Sequence, residues 1–131
     1  LKGPTTFTMT SAGVCGLLIA RKQIKQEEER LNKAVGRGLQ FLGDRFTVAD
    51  PDHQYYLLYH LARLGRLANS TKLTRKAADK SYDWYKLEAE WLLDRQLRNG
   101  SWQVGQLNES SVLVTSFAVL FLASQTNPDG K

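Results

Sequence analysis

The 131-residue chain contains one cysteine, three prolines, two histidines and one methionine, and each scarcity removes a class of protein. Cys15 alone excludes an intrachain disulfide framework and says little about compartment. Set among small apolar residues, it reads as a buried, inert thiol rather than a nucleophile. No apolar run approaches the roughly 20 residues that cross a bilayer. Residues 13–20 are too few, so no integral membrane span is expected, and residues 1–10 lack the basic start of a secretion signal. Cys15, His53 and His60 are too few, and carry no ligand spacing, for a zinc centre. His53 and His60 could share a helix face, but two imidazoles make a weak site. No phosphate-cradling glycine loop and no local Ser-His-Asp signature occur, so no cofactor is expected. No segment alternates with period two for long enough to suggest a sheet.

Acid is also short relative to base, 13 residues against 18, which gives a net charge of +5. The excess concentrates where Arg63, Arg66, Lys72, Arg75, Lys76 and Lys80 meet only Asp79. Such a patch attracts phosphate, nucleic acid or an anionic membrane surface. The aromatics do not interleave with it and no base-reading helix accompanies it, so a nucleic-acid partner is not expected and a solvated turn is the default.

What is present is helical periodicity. Five helices are predicted, over residues 8–25, 28–45, 52–68, 82–97 and 111–124. Leu31, Ala34, Val35, Gly38, Phe41 and Leu42 form a single apolar stripe on the second. Asp50 and Pro51 fit the N-cap and first helical position of the third, and Asn69, Ser70 and Thr71 would close it. Residues 72–80 read as a loop or an extra helical turn. In the fourth, Tyr85, Ala89 and Leu92 share a stripe with Trp84, Leu87 and Trp91 beside it, leaving Glu88, Glu90, Asp94 and Arg95 outward. Asn99-Gly100 reads as the stop, with the Gln96 amide donating to a last-turn carbonyl and Trp102 folded back as an aromatic plug. The fifth helix is apolar nearly all round and should be enclosed on several sides.

Trp91-Leu92, Gln96 and Gly100-x-Trp102 together resemble the QW motif of the terpenoid cyclase and protein prenyltransferase α/α-toroid superfamily, which includes the squalene-hopene cyclases. That motif opens with Lys/Arg-Gly; here Leu87 and Glu88 stand in its place. The missing opening occurs upstream at Arg37-Gly38, followed by Phe41-Leu42, but Phe46 replaces the Gln and no Gly-x-Trp follows. Two worn copies about fifty residues apart suggest a repeat. A second pair, Thr10-Ser11 and Thr115-Ser116, each leads into small and apolar residues. The resemblance implies an all-α fold, an arc of an α/α toroid with about five to six helices alternating between inner and outer rings. The first, third and fifth helices would be inner. The superfamily's QW residues are structural, so Trp91, Gln96, Gly100 and Trp102 are expected to brace and not to catalyse.

A complete double ring of this kind needs about six helix pairs, so residues 1–131 read as one repeat domain cut from a longer protein. The expected partners are the remaining repeats or a second copy, meeting exposed end helices. Asp50, Asp52 and His53 resemble, weakly, the Asp-x-Asp-Asp acid motif of the cyclases, but Pro51 interrupts it and His53 replaces its last Asp. A helix N-terminus explains these residues better. The superfamily's inner walls hold carbocations against aromatic rings; the corresponding inner-cleft candidates are Tyr55, Tyr56, Tyr59, His60, Phe117 and Phe121, with ordinary core packing as the plainer explanation. The expectation is therefore a non-catalytic binding or scaffolding module within a larger, bacterial-type protein bearing prenyltransferase/squalene-oxidase-like repeats. The alternative is part of a terpenoid-cyclase-like enzyme whose catalytic acid lies outside this chain.

Overall fold

A computed structural model describes residues 6–48, 54–103 and 111–124. Asp50, Asp52 and His53 lie outside the described residues. Among the described residues five helices, α1 (Phe7–Gln23), α2 (Glu28–Arg45), α3 (Gln54–Ala68), α4 (Trp84–Leu93) and α5 (Ser111–Ala123), surround an apolar core. Between α3 and α4 lies a small hairpin, β1 (Lys72–Arg75) and β2 (Lys80–Asp83).

Helix α1 starts at Thr6, whose hydroxyl accepts the Met9 amide at 3.1 Å. It buries Ser11, Val14, Cys15 and Leu18, the i, i+3, i+4, i+7 stripe. Gly38 of α2 comes so close to Val14 that a Cβ there would overlap the valine side chain. Helix α3 is the centre of the molecule, packed against α1 on one side and α5 on the other, with α4 behind. Leu57, Leu58, Leu61 and Leu64 are all buried on it, and each such leucine contributes on the order of 1.5–3 kcal/mol. Its end is built as expected: Asn69 takes φ 51°, and the Ser70 amide donates back to the Gly65 carbonyl at 3.0 Å, the six-to-one bond of a left-handed helix stop.

The hairpin overturns the expectation of a loop or helical turn at residues 72–80. Leu73 pairs with Tyr82 and Arg75 with Lys80 in antiparallel register, joined by a short 3-10 turn and a left-handed Asp79. Two four-residue strands among charged residues are too short to show alternation. They hold because α2 supplies a surface. Leu73 is buried, the Tyr82 ring stacks on Phe46 at 5.1 Å, and its hydroxyl donates to the Gly43 carbonyl. Arg75 donates to the Phe46 carbonyl and the Lys76 amide to the Asp44 carboxylate, both at 2.9 Å. Gly43 allows this contact, since a Cβ would collide with the Thr74 backbone.

Two further readings are corrected. The buried stripe of α4 is Trp84, Glu88, Trp91 and Leu92, so Glu88 is inside and Leu87 partly outside; the buried face is turned by about one residue from the expected one. Helix α5 is enclosed on one side only. Val114, Ala118 and Phe121 are fully buried, while Val112, Leu113, Val119 and Leu120 are 73%, 47%, 52% and 55% exposed.

Candidate functional site

The six inner-cleft candidates divide into two groups, because successive positions on α3 point in different directions. Tyr55 turns toward α4: its ring lies 5.9 Å from Trp91, and its hydroxyl donates to the Gln103 carbonyl at 3.4 Å. Phe121 is likewise in the core, stacked on Tyr85 at 5.0 Å and tilted against Trp84. Neither reaches an open surface.

Tyr56, Tyr59, His60 and Phe117 come together on the other side of α3. Tyr56 meets His60 edge-on at 4.5 Å, and Tyr59 meets it at 5.5 Å. The Phe117 ring bridges both tyrosines at 6.1 and 5.9 Å. Tyr56 is half exposed and His60 is buried. Both imidazole nitrogens of His60 are enclosed, without a hydrogen-bond partner among the described residues. Burial, helped by the charge of Arg63, pushes its pKa down, so the ring is held neutral. Across from it, the Cys15 thiol points at the His60 carbonyl, and burial raises its pKa against the opposing effect of Arg63. That thiol is a poor nucleophile.

The same stripe of α3 continues through Arg63 and Arg66 into an open cleft of about 980 Å³ where the C-terminal ends of α1, α3 and α5 meet. Lys22, Arg63 and Arg66 line it, with Ile19 and Leu120 among its apolar walls and Asn69, Ser70 and Ser124 at its rim. The basic patch read from sequence is thereby divided. Arg75 and the Lys76 amide bind the end of α2, while Arg63 and Arg66 face the cleft with Lys22, a residue the sequence did not single out. Lys22 and Arg66 share one sequence signal, a cation in a last helical turn; only the packing of α1 beside α3 makes them neighbours.

The QW-like residues form a separate, braced corner. Trp102 is buried and its indole N–H donates to the Leu92 carbonyl at 2.8 Å, satisfying an end of α4, while its amide donates to the Thr115 hydroxyl at 3.1 Å. Gln96 does not reach a last-turn carbonyl. Its amide donates to the Gly100 carbonyl at 3.0 Å and tightens the following turn. Gly100, at φ 85°, belongs to that turn and not to the helix stop, since α4 already ends at Leu93. The Leu97 amide donates to the Ser101 carbonyl and the Gly100 amide to the Leu97 carbonyl, and these two bonds close it. Arg95 lies over the Trp91 ring at 4.5 Å, and the Trp91 indole nitrogen is buried without a partner among the described residues.

Among the described residues no three His, Cys, Asp or Glu side chains are grouped to hold a metal ion, and no helix is long and apolar enough to cross a membrane. No protein-family model, no curated protein and no solved structure matches the chain. Function is therefore read from the side chains themselves.

Proposed function

We propose that this chain is a non-catalytic helical-repeat module, an arc of an α/α toroid that binds or scaffolds within a larger protein. One observation carries the reading: α5 is apolar on both sides, yet Val112, Leu113, Val119 and Leu120 are open to solvent at the end of the row α1, α3, α5. A helix of this composition is stable when another layer covers it. The Trp102 bond to the end of α4 supports the QW resemblance, because bracing an outer helix to its neighbouring turn is what that motif does in the superfamily.

Sedimentation velocity across a concentration series tests the reading, with a second copy standing in for the next repeat. The chain is expected to self-associate. The pair Val112→Glu and Val119→Glu is expected to keep the helical circular dichroism and remain monomeric. A wild-type chain that stays monomeric throughout overturns the stacking role of α5.

The half-open ring cluster of Tyr56, Tyr59 and Phe117 favours the second reading, a piece of a terpenoid-cyclase-like enzyme. An intact Asp-x-Asp-Asp motif elsewhere in the full open reading frame would decide for it.

A further inference from the structure

Along α3, Tyr56, Tyr59, His60, Arg63 and Arg66 follow the i, i+3, i+4, i+7, i+10 spacing and change from aromatic to cationic over about 15 Å. Tyr59 belongs to both halves, since it packs in the ring cluster and lines the cleft. From this geometry we infer that the cleft binds an amphiphile with a phosphate monoester head, the head held by Lys22, Arg63 and Arg66 and the apolar body lying along Ile19, Leu120 and the Tyr59 ring.

Three features support this assignment. Among the described residues no acidic side chain lines the cleft, and none of the three cations makes a hydrogen bond or an ion pair. The three helix C-termini bring about half a negative charge each, so three full cations leave the cleft positive. A net positive site with two guanidinium forks suits a head group with several acceptor oxygens and up to two charges better than a singly charged carboxylate. The mixed lining, with apolar side chains facing cations across the same space, favours a ligand having both characters over a bare anion.

Octyl phosphate, titrated into isotopically labelled chain and followed by amide chemical shifts, tests the assignment. Shifts are expected at residues 19–22, 63–71 and 120–124. Octanol and inorganic phosphate are each expected to bind at least about tenfold more weakly, because each lacks one half of the recognition. The pair Arg63→Gln and Arg66→Gln should weaken octyl phosphate by at least about tenfold. Both arginines are exposed, so an unchanged melting curve is expected to accompany that loss. Equal binding by octanol, undiminished binding by the double variant, or shifts confined to another face overturns the assignment. Vesicles containing phosphatidic acid separate the sources: capture by vesicles without binding of the soluble octyl phosphate would make this a membrane contact and overturn the assignment to the cleft. Leu120 also belongs to the exposed face of α5, so the titration is repeated in the Val112→Glu, Val119→Glu chain, whose cleft lining is intact; binding kept there separates the cleft from self-association, and binding lost there overturns the assignment.

Discussion

Two aromatic groups flank α3, and they are finished differently. On the α4 side, Trp84, Tyr85, Trp102, Tyr55 and Phe121 pack tightly, and the polar atoms of Tyr55, Tyr85 and Trp102 all donate to backbone carbonyls. On the other side, Tyr56, Tyr59 and Phe117 are partly open, and among the described residues neither nitrogen of His60 has a partner. A buried polar group without a partner costs about 1–3 kcal/mol, a cost that the donors of Tyr55, Tyr85 and Trp102 avoid. Trp91 shows that the braced side is not perfect, since its indole nitrogen is also unpartnered, although its ring is covered by Arg95. The difference separates a closed, hydrogen-bonded corner from a half-open ring cluster.

Truncating the two groups should separate them clearly. Trp102→Ala removes a buried ring and the bond that caps α4, and is expected to cost about 3–5 kcal/mol in urea denaturation. A loss no greater than that of an exposed tyrosine would break the comparison. Gly43→Ala probes the second anchor of the fold, the hairpin on α2. The new methyl meets the Thr74 backbone, with an expected cost of about 1–3 kcal/mol; hydrogen exchange should show residues 72–83 losing protection first. Tyr85→Phe deletes only the hydroxyl that donates to Leu122 at 2.9 Å, and should cost about 1 kcal/mol in the same assay.

On the open side, Tyr56→Ala should cost about 0.5 kcal/mol, in the range of surface substitutions, because half of the side chain is already in water. The smallest effect at neutral pH belongs to His60. Its folded pKa is lowered, so below the ordinary value of about 6.5 the unfolded chain binds a proton more readily than the folded one. Stability is therefore full above that value and falls as pH drops through it toward the folded pKa. His60→Phe should remove this part of the acid loss. Identical pH slopes for the two proteins would show that the ring is not held neutral by its surroundings.

Much of the helical layout was legible because it depends on local patterns. The second helix matched at 28–45, the others to within a few residues, and the stop at Asn69 had its own chemistry. The end of α4 was not legible. A Gly in Asn99-Gly100 signals a left-handed residue, but a stop and a later turn use the same residue, and only the bonds among residues 97–101 distinguish them. Glu88 was misplaced because a charged residue on an amphipathic helix is assigned outward by default. The hairpin was missed because its stability comes from Phe46, Gly43 and Asp44, far away in sequence.

Sequence by itself determined where the chain is helical, that Trp102 would fold back as a buried plug, and that the fifth helix would be apolar nearly all round. These follow from periodicity, capping chemistry and apolar content, which act over a few residues. Tertiary structure decided which tyrosines face outward, which cations share a cleft and whether four-residue strands could persist. Each of those depends on the rotation of one helix against another, and a rotation of a single residue position, about 100°, is enough to exchange a core side chain for a surface one.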